Sequence, residues 1–251
     1  MKEDGYSGWW FPPNISANYG QTLDQGTAII TWVTMIGGIV VIGLMLFAVI
    51  RYRYRPDRKA LYLHGNFKFE TTMLVLVTVF TLGGEFFVLG EISEGVWDKI
   101  KYQAPEDAME IEVLAEQFAW NIRYPGDDGQ FGETDNELVD EENPFGIDED
   151  DSAAEDDVVT RGLIHVPVNV PVKVKLRSKD VIHSFFIPVL RIKQDALPGE
   201  TIDVWFQAKE TGEYHLVCAE LCGLGHTTMK AGFVVEPLEE FQSWLEEKSE
   251  E

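Results

Sequence analysis

Hydrophobic positions along this chain follow two different patterns. In the first ninety residues they run almost unbroken. Residues 27–50, TAIITWVTMIGGIVVIGLMLFAVI, are twenty-four positions without one charge, about 36 Å of helix at ~1.5 Å per residue. That length crosses a hydrocarbon core of about 30 Å. A second run at 71–92, TTMLVLVTVFTLGGEFFVLGEI, is interrupted only by Glu85 and Glu91. Two transmembrane helices forming a hairpin are predicted, behind a polar tail at 1–26. The tail lacks a basic leader with a small-residue cleavage site, so no removed signal peptide is expected. Beyond residue 92 the pattern becomes short β-rich segments: MEIEVLAEQFAWNIRYP, LIHVPVNVPVKVKLRS, HSFFIPVL, TIDVWFQAK, EYHLVC and AGFVVEP, divided by turn sequences such as LPGE and ETGE. Six to eight strands without intervening helices predict an all-β sandwich or barrel over 93–236. In the tail at 237–251, Leu238, Phe241, Trp244 and Leu245 recur at helical spacing, predicting a short amphipathic helix on the sandwich.

Charge gives this plan an orientation. The loop at 51–70 carries Arg51, Arg53, Arg55, Arg58, Lys59 and Lys68 against Asp57 and Glu70. Positive charge near span ends stays in the cytoplasm, so both termini and the whole β domain belong on the extracytoplasmic side of the plasma (inner) membrane. After residue 92 there are 36 acidic and 13 basic residues, and the chain's formal net charge is −23. Such a surface repels nucleic acid and draws in basic proteins. Residues 127–157 hold fifteen acidic residues and no basic one, which predicts a solvated insertion with little apolar surface to bury.

The two cysteines of the chain stand in CAELCGLGHTTM, residues 218–229, followed by a histidine and a methionine. Thiolate and thioether suit Cu(I) and imidazole suits Cu(II) as well, so the mixture points to copper that changes valence. Cys222, His226, Met229 and one earlier histidine would make a single blue-copper site. Cys218 is surplus to that set, and a second thiolate allows two sulfurs to bridge two metals. For the remaining imidazole, His215 lies at an odd offset from Cys218 on one strand and so on the opposite face. His165 in LIHVP has the setting of a structural strand histidine, and His183, opening a strand after a polar turn, is the best placed. A plain Cys218–Cys222 disulfide is the alternative in an oxidising compartment; the matching histidine and methionine offsets favour metal. Zinc is disfavoured by the methionine.

With its two spans, the stretch DVIHSFFIPVLRIKQDALPG and the Cys-x3-Cys-x3-His-x2-Met pattern, the chain resembles subunit II of the haem-copper respiratory oxidases, in which cytochrome c oxidase carries the binuclear CuA centre. The resemblance implies a cupredoxin-like Greek-key sandwich with two copper ions bridged by Cys218 and Cys222. His183 and His226 would be the terminal ligands, with Met229 and the Glu220 carbonyl as weak ones. It also implies a magnesium ion shared between the Glu220 carboxylate and subunit I. Electrons would come from a cytochrome c, or a cytochrome c domain of a partner complex, and pass to haem in subunit I, where dioxygen is reduced to water with proton translocation. Other oxidase subunits and membrane lipid complete the expected partners. Relatives have Gln-Trp-x-Trp where this chain has Gln117, Phe118, Ala119 and Trp120, so electrons would arrive at Phe118 and Trp120. Glu70 matches a glutamate at the mouth of a proton path. No Cys-x-x-Cys-His occurs, so no haem is expected in this chain. A stand-alone membrane cupredoxin and the copper domain of a nitrogen-oxide reductase are the competing readings. A quinol oxidase subunit is a third, at odds with the complete ligand set.

Overall fold

A computed structural model describes residues 12–59, 68–101, 104–126 and 128–249. The first eleven residues of the expected tail, residues 60–67 of the basic loop and Asp127 of the acidic run lie outside the described residues. The chain divides into two compact units, one of residues 22–96 and one of residues 1–21 with 97–251.

The first unit contains most of α1 (Gly20–Arg51) and α2 (Lys68–Lys101). Both are long and apolar enough to cross a membrane. Between Thr27 and Phe86 their described Leu, Ile, Val and Phe side chains are exposed, as befits helices whose solvent is lipid. Thr27 and Thr31 of α1 donate their hydroxyls to the carbonyls of Leu23 and Thr27, at 2.8 and 2.7 Å. Thr72 and Thr81 of α2 do the same toward Lys68 and Val77. Polar side chains thereby satisfy themselves within their own helix, as a bilayer demands.

The second unit is a sandwich of two five-stranded sheets. One sheet runs in the order β3 (Val158–Arg161), β2 (Ala119–Tyr124), β1 (Met109–Glu116), β5 (Pro171–Ser178), β8 (Ile202–Gln207). The other runs β4 (Leu163–Pro167), β10 (Lys230–Glu236), β9 (Gly212–Cys218), β6 (His183–Ile187), β7 (Ile192–Ala196). The β1–β5 and β4–β10 pairs are parallel and the others antiparallel. Alternation sets the inner faces: in β5, Val172, Val174, Leu176 and Ser178 are buried while Lys173, Lys175 and Arg177 are half-exposed. Trp120, Phe185, Phe206 and Phe233 fill the space between the sheets. Gly162, at φ +75°, turns the chain from β3 in one sheet straight into β4 in the other, a backbone conformation that glycine adopts without strain.

The described residues form ten strands rather than six to eight. MEIEVLAEQFAWNIRYP divides into β1 and β2, and Asn169 at φ 61° breaks LIHVPVNVPVKVKLRS into β4 and β5. The remaining two, VVTR and IKQDA, are short and weakly apolar, so hydrophobicity gave little sign of them. The polar tail is also better held than its composition suggests. Ile15 donates its N–H to Val189 and accepts from Lys209, Ala17 donates to Gln207, and Ile15 and Tyr19 are fully buried.

Among its described residues the acidic run contains two 3-10 turns and is tied down at several points. Its aspartates accept backbone N–H groups that would otherwise pair in a helix or strand: Asp135 from Glu137, Asp140 from Glu142 and Asn143, Asp151 from Glu133 and Ala153. Beneath it Arg123 is fully buried, bound to Asp157, to Glu112 at 3.2 Å and to the Gly132 carbonyl at 2.7 Å. Phe145 is buried as well. The insertion is therefore an ordered loop with exposed carboxylates. At the chain's end α3 (Leu238–Ser249) packs through Phe241 and Trp244, and Leu238 stays exposed. Trp244 stacks on His165 at 4.1 Å.

Candidate metal centre

Two strands and one loop bring the sulfur and imidazole donors together. His183 opens β6 and is fully buried, and Cys218 closes β9, where it pairs with Phe185 of β6. The loop then turns back through Cys222, His226 and Met229 into β10. Gly223 supports this turn at φ +135°, a region that suits glycine. Cys218 Sγ lies 3.9 Å from His183 Nδ1 and 3.8 Å from Cys222 Sγ. Cys222 Sγ in turn lies 3.6 Å from His226 Nδ1 and 3.7 Å from Met229 Sδ. Ligand atoms of His183, Cys218 and Cys222 all fall within 4.8 Å of one another.

Both cysteines are free and buried, and their separation is far from the ~2.0 Å of a disulfide. Burial, with Cys218 beside it, pushes the Cys222 thiol up to about 11. A metal would have to displace those protons, as thiolate ligation requires. Two soft sulfurs side by side, an imidazole nitrogen beyond each and a thioether at one end fit a pair of copper ions. Glu220 presents two different oxygens here. Its carbonyl accepts from the Cys218 thiol at 3.1 Å, and the residue is exposed.

Around the donors lies a ring of polar contacts that the sequence reading missed. His183 Nε2 meets Asp180 Oδ1 at 2.8 Å, and Asp180 also accepts the backbone N–H groups of Gln117 and Val181 at 2.7 and 2.6 Å. Burial acts to raise the Asp180 carboxyl, but His183 and these N–H groups outweigh it and hold the group below its usual range. The Gln117 amide donates to the Cys222 carbonyl at 2.5 Å. The only local sign was an aspartate three residues before a histidine.

Phe118, joined to Gln117 by a cis peptide, is 37% exposed. Its ring covers the ligand loop so closely that a Cβ on Gly225 would fall 2.4 Å from it. Trp120 is fully buried, with ring centroids 6.2 Å from His183 and 5.9 Å from Phe185. Its Nε1 has no hydrogen-bond partner among the described residues. The other described histidines stay apart from the centre. His215 is exposed on β9, and His165 pairs with Glu236 at 2.7 Å beneath Trp244. Glu70 belongs to the other unit, in the first turn of α2.

The chain has recognisable relatives among known proteins. The family model for "Cytochrome C oxidase subunit II, periplasmic domain" matches residues 109–237. The "Alternative cytochrome c oxidase subunit 2" of Bradyrhizobium diazoefficiens is 36% identical over 246 residues, 97% of this chain and 85% of that one. The "Cytochrome c oxidase subunit 2" of Cereibacter sphaeroides is 28% identical over 213 residues, 81% of this chain and 68% of its own. Among solved structures, the periplasmic domain of subunit II of the Bradyrhizobium japonicum cytochrome oxidase is similar with 30% identity and a TM-score of 0.44. It covers 59% of this chain and 98% of its own.

Proposed function

The chain belongs to the cytochrome c oxidase subunit II family, and from that premise we propose that it is the electron-accepting subunit of a haem-copper oxidase, receiving electrons at a binuclear copper centre. The observation that carries this reading is the convergence of two free thiols, 3.8 Å apart, with His183, His226 and Met229 at one end of a buried sandwich. Cys218, Cys222, His183, His226, Met229 and the Glu220 carbonyl would hold the two ions, the two thiolates and two imidazoles as the main donors and the thioether and carbonyl as weaker ones. Bound there, the pair of coppers supplies one-electron redox chemistry shared between two metals.

The remaining residues have roles around that centre. Phe118, partly exposed over the ligand loop, is the contact for an incoming donor. Trp120, edge-on to His183, carries the path inward. The acidic surface would steer a basic cytochrome c, or a cytochrome c domain of a partner complex. The Glu220 carboxylate would help to hold a magnesium ion at the contact with subunit I. Glu70 would guard the mouth of a proton path. Glu85, costly to leave facing lipid, would face subunit I or water. The residues before α1 and those after α2 belong to one compact unit, which supports an even number of membrane crossings and both termini on the periplasmic side.

Cys218→Ser tests the assignment, because it leaves a complete ligand set for one copper. The variant is expected to hold one copper per chain and to lose most cytochrome c oxidation in the assembled oxidase. Two coppers and an unchanged rate would overturn the reading.

A further inference from the structure

Two of the ligand-bearing segments are tied by a path that passes outside the donors themselves. His183 comes from β6, whereas Cys222 comes from the loop between β9 and β10. Asp180 takes the outward nitrogen of His183 at 2.8 Å and the Gln117 backbone N–H at 2.7 Å. The Gln117 side chain then donates to the Cys222 carbonyl at 2.5 Å. Residues far apart in sequence thus close a ring, His183–Asp180–Gln117–Cys222. The fit is tight, for a Cβ on Gly223 would come within 2.8 Å of Gln117 Nε2.

We infer that Asp180 is a positioning residue of the copper centre, which fixes the His183 ring with Nδ1 toward the cysteines, anchors the ligand loop through Gln117 and biases the redox potential. Three physical consequences carry it. A carboxylate accepting from Nε2–H selects the tautomer whose Nδ1 lone pair is free for a metal, and Nδ1 is the atom facing Cys218. A negative charge one imidazole away from the metals favours the more positive, oxidised state and so lowers the potential. The Gln117 amide restrains the loop backbone at Cys222 itself, limiting how far that sulfur can shift. This inference rests on the two-copper reading above.

The test uses the full chain in detergent, loaded with copper. The wild type is measured first: a copper content other than two overturns the underlying reading before any variant is compared. Asp180→Asn keeps the shape and removes the charge. It is expected to retain two coppers with a potential shifted positive, and Asp180→Glu to bring the potential back toward wild type. Glu210→Gln, which neutralises an exposed carboxylate on another turn, is the control and is expected not to shift it. Gln117→Leu should release copper to a chelator about tenfold faster, within the ~10–100-fold range of outer-shell changes. If Asp180→Asn folds, judged by an unchanged unfolding temperature without copper, yet retains none, the positioning role is also supported. A potential and copper hyperfine pattern identical to wild type in Asp180→Asn, or an equal shift in Glu210→Gln, would overturn the inference.

Discussion

Under the proposed function, Phe118 is the single side chain expected to matter most for how electrons reach the centre. Its ring lies over Gly223 and Gly225 and is partly open to solvent, so it can meet a docked protein and the ligand loop at once. Replacing it with alanine is expected to lower the rate of cytochrome c oxidation at least ~5-fold, about 1 kcal/mol, the threshold of an interface anchor. Copper content should stay the same. Steady-state kinetics with matched metal analysis checks both. At this scale the donor pattern of Cys218, Cys222, His226 and Met229 was legible because its spacing within twelve residues carries the chemistry directly, whereas His183 was picked out by its place at the start of a strand. Asp180 and Gln117 were not, since their contacts span 63 and 105 positions in sequence and exist only once β1, β6 and the ligand loop are assembled. His165 reads from the sequence as a structural histidine, and its partners Glu236 and Trp244 come from elements far along the chain.

Among the elements, the acidic loop depends on a charge buried beneath it. Arg123 is shielded from water and satisfied by Asp157, Glu112 and the Gly132 carbonyl. Arg123→Ala would leave Asp157 as an uncompensated buried charge and is expected to cost about 3–5 kcal/mol, read from denaturant unfolding. The loop also carries its own pH dependence. Backbone N–H groups of Glu133 and Ala153 hold Asp151 below its usual range, and those of Asn143 and Glu142 do the same for Asp140. A carboxyl depressed in the folded state contributes stability above its unfolded value of about 3.9 and loses it as the pH falls through the folded one. Loop amides should therefore lose protection, relative to their intrinsic exchange rates, below about pH 4, with β1 and β5 still protected, as hydrogen exchange can follow. Composition foretold the loop's exposed carboxylates but not its order, because the ordering comes from side chain to backbone bonds and from one arginine on β2. Strands with clear alternation, such as β5, were legible, whereas β3 and β7 are held by neighbours that only the assembled sheets provide.

For the molecule as a whole, the chain combines two apolar helices with an acidic sandwich in which the sulfur and imidazole donors converge. The membrane anchor was legible from hydrophobic run length alone, and the sandwich from strand rhythm and turns. The tail's attachment to the sandwich was not, because Ile15 and Tyr19 are isolated apolar residues whose burial is decided by β8 and the Pro188–Leu190 turn. The proposed function requires above all that Cys218 and Cys222 share two metal ions. The most direct measurement is copper content per chain together with the electron-spin spectrum of the copper-loaded full chain. Two coppers with a purple colour and a seven-line mixed-valence signal are expected. One copper with a blue, four-line signal, or a covalent Cys218–Cys222 bond in the native protein, would contradict it.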